Sequence, residues 1–136
     1  MSNNISSNLK KLEQGRAEFA YRCAEKGSEY EKKKEYKSYV KKILMLIKTN
    51  GLGATFAFML SKGGTYEIIG KQILDWLKQD DKKILTDSDN LDSFSDLVKR
   101  TVELNSSEYR SLTIEVLAFL SWLKRFAEGL IEGEEE

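Results

Sequence analysis

The sequence predicts one all-α domain, residues 1–136, built as a single compact unit of about five to seven helices with a long C-terminal helix. Three observations predict it. Every apolar periodicity steps by three and four residues, the repeat of a helix face, and no alternating segment of useful length occurs. There is no proline, so long unbroken helices are permitted and turns fall to Gly, Asn, Asp and Ser. Residues 109–131, YRSLTIEVLAFLSWLKRFAEGLI, carry Tyr109, Leu112, Val116, Phe119, Leu123, Phe126 and Leu130 at alternating three- and four-residue steps. Leu117, Leu120 and Trp122 lie off that stripe, and a helix apolar on more than one side is clamped between neighbours. At ~1.5 Å per residue it is roughly 35 Å long.

Along the chain, residues 8–23 place Leu9, Leu12, Phe19 and Cys23 on one side of a first helix. Glu25-Lys26-Gly27-Ser28 reads as a break. A second helix over 29–49 turns Tyr36, Val40, Ile43 and Ile47 inward, with Lys34, Lys37, Lys41 and Lys48 on another stripe. Asn50-Gly51 is a helix stop. Residues 52–62, LGATFAFMLSK, hold no charge until Lys62 and read as a buried central helix. Gly53 and Ala54 offer room there for close helix–helix approach. Gly63-Gly64 ends it, and Thr65 is placed to cap a fourth helix with Ile68, Ile69, Ile73, Trp76 and Leu77 apolar. Gly70 should weaken that helix by ~1 kcal/mol relative to Ala.

Residues 79–92 form a polar, Asp-rich loop. A calcium loop starting at Asp87 fails, because Leu91 holds its fifth position, Asp92 the sixth where Gly is needed, and Val98 the twelfth in place of Glu. Asp92 or Ser93 then starts a helix through Phe94, Leu97, Val98 and Val102. Asn105 three residues before Glu108 makes a capping-box start for the last helix, and Gly133 marks its stop. Residues 132–136 are a short acidic tail.

Composition narrows the function. The chain is 40% apolar and 32% charged, ordinary for a soluble globular protein. No run of about 18 apolar residues suggests a membrane span, and the N-terminus lacks a signal-peptide pattern. The single cysteine, Cys23, cannot form an internal disulfide and fits a cytoplasmic setting. The absence of histidine removes the commonest general acid/base and metal ligand, and denies Cys23 a dyad partner. No catalytic residues, metal site or cofactor is expected, and Cys23 reads as a small buried hydrophobe. Charge is zero overall but uneven: residues 1–50 carry 12 Lys+Arg against 6 Asp+Glu, residues 51–136 carry 10 against 16. That split predicts a basic face for a polyanion and an acidic face for something else.

Three stretches together resemble a known family: Gly15-Arg16-Ala17-Glu18-Phe19-Ala20-Tyr21, residues 36–60 (YKSYVKKILMLIKTNGLGATFAFML), and residues 109–131. The chain resembles the small subunit of type III-B CRISPR effector complexes, the Cmr small-subunit family. The likeness covers most of the chain and is weakest at both ends and over residues 79–92. Its most specific parts are the Asn-Gly-Leu run entering an apolar helix and the Y-R-x-L-T-x-E … W-L-K-R-F-A segment. The resemblance implies a non-catalytic helical subunit that stacks in several copies, head to tail, along guide RNA and target RNA. Its implied partners are backbone and large subunits, with RNA cleavage belonging to the backbone subunits.

Base pairing reads sequence in such particles, so protein needs spaced cations for phosphates. The candidates are Arg16, Lys37, Lys41, Lys42, Lys48, Arg110, Lys124 and Arg125. Lys37 and Lys42 rest on helix spacing alone; the other six lie inside family-like stretches. Arg110 and Lys124 have Glu115 or Glu128 nearby in helical spacing as alternative ion-pair partners. Stacked copies need a heterologous contact, and a basic face against the acidic face of the next copy is one way to make it. The rival reading is a small helical adaptor that binds only protein; a near variant is the small subunit of the related type III-A complex.

Overall fold

A computed structural model describes residues 2–79, 84–85 and 87–133, with side chains from Leu9 onward. Residues 80–83 and 86 of the expected polar loop, and 134–136 of the expected acidic tail, lie outside the described residues. Six α-helices follow one another: α1 (Ser2–Ser28), α2 (Lys33–Asn50), α3 (Leu52–Lys62), α4 (Thr65–Gln79), α5 (Phe94–Val102) and α6 (Ser106–Leu130). A single 3-10 turn at Ser88–Asn90 precedes α5, and no strand occurs among the described residues. The all-α single domain is as the sequence predicts, and α6, at 25 residues, is second in length to α1 at 27.

α6 is the spine. Asn105 accepts from the Glu108 N–H and Glu108 reaches back to the Asn105 N–H, so the capping box fixes where the helix starts. Leu112, Val116, Phe119, Leu120, Leu123 and Ala127 are buried along it. α1 packs against one flank: Phe19 meets Phe119 at 6.2 Å and Trp76 of α4 at 5.7 Å between ring centroids. α2 packs against the other flank and runs antiparallel to α6. Lys37 near the start of α2 meets Ile131 just past the end of α6, and Gly53, just beyond α2, meets Tyr109 near its start.

Several boundaries differ from expectation. The first helix does not break at residues 25–28 but continues to Ser28. Gly27 is no stop; it is a notch, since a Cβ there would lie 2.2 Å from the Tyr36 ring. Tyr36, fully buried, donates to Gln72 Oε1 at 2.7 Å, and burial raises its phenol well above the ordinary range. Leu9 is 55% exposed rather than inward. Cys23 is buried, and burial pushes its thiol up to about 12, which leaves it inert as expected of a core residue.

α3 is not the buried central helix its composition implied. Leu52, Thr55, Phe56 and Met59 face the core, while Ala54, Ala57 and Leu60 are exposed. Its lack of charge reflects a small, apolar outer surface rather than burial all round. Gly51 separates α2 from α3 at φ 91°, a left-handed conformation that favours glycine. Of the two small residues expected to allow a close helix–helix approach, Ala54 is exposed, and Gly53 instead receives a side chain, its N–H donating to the Tyr109 hydroxyl at 2.7 Å. Thr65 is the first residue of α4 rather than its cap, and its hydroxyl donates to Glu35 Oε2 at 2.6 Å. That bond, with a second from Tyr39, holds the Glu35 carboxyl below its ordinary range.

Ser93 and Asp96 complete a capping box at the start of α5. Asp87, read from sequence as a loop aspartate, accepts two bonds from Arg100 at 2.9 and 3.0 Å and ties the loop to α5. Leu85 and Leu91 are buried beneath it. Val102, expected inward, is 65% exposed at the last turn of α5. Gly70 has a packing reason. A Cβ there would lie 2.6 Å from the Phe94 ring, so Gly70→Ala should cost about 1–3 kcal/mol by overpacking despite Ala's better helix propensity. Denaturant melts check this; a stabilised variant would contradict it.

Candidate nucleic-acid interface

The candidate cations divide into three groups. Arg16 is turned inward. Its Nε and Nη2 donate to both oxygens of Glu115 at 2.8 and 2.9 Å, and Glu115 also accepts from Trp76 Nε1 at 3.0 Å. Glu115 is 3% exposed, so this is a bidentate interior pair that joins α1, α4 and α6. Three donors satisfy the carboxylate, the condition under which a buried ion pair is tolerated. Arg16 is therefore committed to the fold and leaves the set of cations available to a polyanion. Neither Arg110 nor Lys124 takes Glu115 as a partner.

The second group shares one face. Lys34, Lys37, Lys41, Met45 and Lys48 follow one another at three- and four-residue steps on α2. Lys37 fixes which way that stripe points, because its Nζ donates to the Ile131 carbonyl at 3.1 Å and to the Gly133 carbonyl. The stripe therefore runs along the α6 side of α2. Lys37 also neutralises the carbonyl end of α6, where unpaired C=O groups and the helix dipole favour a cation. Lys34, Lys41 and Lys48 are exposed.

On α6, Arg110, Leu117, Ser121 and Lys124 share one strip of the outer surface by helical spacing, with Ile114 and Arg125 one step further round. Arg110 and Arg125 are exposed. Lys124 makes an i,i+4 pair with Glu128 at 3.6 Å, a surface contact worth a few tenths of a kcal/mol. Such a pair is easily exchanged for a stronger anion. Lys41, Lys48, Arg110, Lys124 and Arg125 thus lie on two helices that pack antiparallel, with Lys37 held at one end.

Lys42 forms the third group. It points away from α6 toward α3, with its Nζ 5.3 Å from the centroid of the Phe58 ring. Lys62, which sequence reasoning did not select, lies 5.7 Å from the same ring. The pairing of Arg16 with Glu115 across 99 residues had a partial signal. Glu115 falls on the apolar face of α6, three residues after Leu112 and four before Phe119, where a carboxylate needs a partner. No group of three or more metal-ligating side chains occurs among the described residues, and no helix there is long and apolar enough to cross a membrane.

Comparison with known proteins agrees with this architecture. A family model described as CRISPR-associated protein (Cas_Cmr5) matches residues 12–130. The chain is 31% identical over 117 residues to the CRISPR system Cmr subunit Cmr5 of Thermus thermophilus, covering 85% of this chain and 92% of that protein. It also superposes on the crystal structure of a CRISPR-associated Cmr5 family protein from the same organism. The TM-score is 0.75 at 28% sequence identity, over 89% of this chain and 98% of the other. The match runs from within α1 to the end of α6, so it takes in α2 and α6 and the interior pair between α1 and α6. The chain belongs to the CRISPR-associated Cmr5 family, the small subunit of type III-B effector complexes.

Proposed function

We propose that this chain is a non-catalytic, RNA-binding structural subunit of a cytoplasmic type III-B ribonucleoprotein, and that the α2–α6 face holds the phosphate backbone of guide and target RNA. The observation that carries the reading is the exposure of Lys41, Lys48, Arg110 and Arg125 on two helices that pack antiparallel against each other. Spaced cations on a rigid surface suit phosphates, which position a strand without reading its sequence. Base pairing supplies the sequence reading in RNA-guided particles. The absence of histidine from the sequence supports the non-catalytic part.

Copies stack head to tail in this reading. A zero-net-charge chain holds few phosphates alone. Repeated copies make each later contact intramolecular, which raises overall affinity without any new contact. The acidic residues of the second half, among them Glu67, Asp92, Asp96 and Glu103, are exposed and supply the opposite pole for such a stack.

Ultraviolet cross-linking of the assembled particle, read by mass spectrometry, tests the assignment. Cross-links should concentrate on peptides of α2 and α6 that contain Lys41, Lys48, Arg110 and Arg125. Cross-links confined to α4 and α5 would place the RNA elsewhere. Their complete absence from this subunit would favour a protein-only adaptor.

A further inference from the structure

The outer side of the α2–α3 hairpin holds a second constellation that the α2–α6 face does not use. A groove of about 220 Å³ lies between the two helices, walled by Leu46, Ala54 and Phe58, with Lys42 and Asn50 also lining it. Its lining is chiefly apolar. The Phe58 ring is half-buried, and it is held edge-on by Tyr66 at 5.2 Å. Two ammonium groups converge on that ring, Lys42 at 5.3 Å and Lys62 at 5.7 Å from its centroid. Neither lysine makes an ion pair among the described residues.

Two like charges drawn to one small aromatic surface repel each other and favour an anion, since the carboxylate that lines a pocket with Lys62, Glu35, is already engaged by Thr65 and Tyr39. The apolar groove beside them calls for a flat hydrophobic body. An apolar side chain from a protein partner would fill the groove but leave both ammoniums without a counter-charge. A nucleotide of a single strand satisfies both demands. Its base would stack on the ring, its edge would face Asn50 at the groove lining, and its phosphate would take the lysines. Stacking on an aromatic side chain beside a cation is the general means of holding single strands without reading their sequence. A duplex cannot use the groove, because its bases are covered by their neighbours.

We infer that the α2–α3 groove, with Phe58 as platform and Lys42 and Lys62 as phosphate contacts, binds one unstacked nucleotide of a single-stranded RNA segment. The inference rests on the RNA-binding reading but uses a different face. It gives the subunit a grip on unpaired strand in addition to its grip on backbone.

The test uses the full chain with single-stranded RNA oligonucleotides, intact and carrying abasic sites, with binding followed by titration and by NMR. Wild type should prefer the intact strand about five-fold or more, the lower end of the base-stacking range. The NMR shifts should centre on Asn50, Ala54 and Phe58. Phe58→Leu, which keeps an apolar side chain of similar bulk against Tyr66, should bind intact and abasic strands alike. Lys42→Gln should weaken both strands. Lys41→Gln with Lys48→Gln should also weaken both but leave the preference for bases intact.

Wild type that does not distinguish the two strands, or Phe58→Leu that still does, overturns the groove assignment. The α2–α6 reading would then stand if the Lys41 and Lys48 changes still weaken RNA binding, and fall with the groove if they do not. Adenosine or uridine monophosphate that shifts the same residues as tightly as the strand would make this a free-nucleotide site and overturn the strand proposal. Loss of other subunits from the particle on Phe58→Leu, with strand preference unchanged, would make the groove a protein contact instead.

Discussion

Replacing Glu115 with alanine should destabilise the chain by about 3–5 kcal/mol, the usual cost of removing one partner from a buried ion pair. Glu115 is the common acceptor for Arg16 and Trp76. Its loss removes both carboxylate bonds from a guanidinium only 15% exposed, and strands a buried indole N–H. The sign depends on what is left behind, not on what the pair contributes. Arg16→Met together with Glu115→Leu should recover most of the loss, with Trp76 Nε1 still unpaired at about 1–3 kcal/mol. Arg16→Met alone should resemble Glu115→Ala in denaturant melts, and should not change the salt dependence of RNA binding in particles that assemble. A loss under about 1 kcal/mol for Glu115→Ala would show that water reaches the pair and that it is not an interior clasp.

Phe119→Ala should cost a similar amount, about 3–5 kcal/mol, through lost transfer energy and a residual cavity. Phe119 is fully buried and stacks on Trp76 at 6.1 Å with the rings 8° apart. Phe19 closes the trio from α1, so the hole opens where three helices meet and none can close it alone. Leu123→Ala, one turn further, should cost about 2–5 kcal/mol. Phe119 and Glu115 share Trp76 as a neighbour, so the double change should not be additive. A loss under about 1 kcal/mol for Phe119→Ala would mean that α6 is not the spine of the core.

The helices were legible because their signals are local. The three- and four-residue apolar steps of α2 and α6, the Asn105–Glu108 capping box and the start of α5 at Asp92 or Ser93 can be read within a few residues of where they act. The failures arise where a distant contact reverses a local meaning. Gly27 reads as a break, yet it serves as the seat for the Tyr36 ring. Val102 and Leu9 carry apolar chemistry at inward-looking positions in the periodicity, yet both are exposed. The apolar run of α3 reads as wholly buried, because composition alone does not separate a core from an uncharged surface.

The candidate site shows the same division. Spacing on α2 placed Lys34, Lys37, Lys41 and Lys48 on one stripe, but the direction of that stripe depends on Lys37 reaching a carbonyl 94 residues away. Arg16 sits in a family-like stretch and carries the right charge. It is withdrawn from the surface by Glu115, whose partner choice is decided by the packing of α1 on α6. Lys62 escaped notice because its role depends on Phe58 and Lys42 converging in space. Helical spacing can find a charged stripe on one element but not a cluster assembled from two.

Salt-dependent RNA affinity of the assembled particle tests the central claim most directly, compared between wild type and a variant with Lys41, Lys48, Lys124 and Arg125 neutralised together. The variant should fold and assemble, and should bind RNA more weakly by about the same factor for every guide sequence, since phosphate contacts carry no base information. Each phosphate contact removed should lower the salt slope by about 0.7–1 unit, the lower value for single strands. A particle that assembles normally with affinity and salt slope both unchanged would show these four cations to be a solvated surface, and would contradict the account.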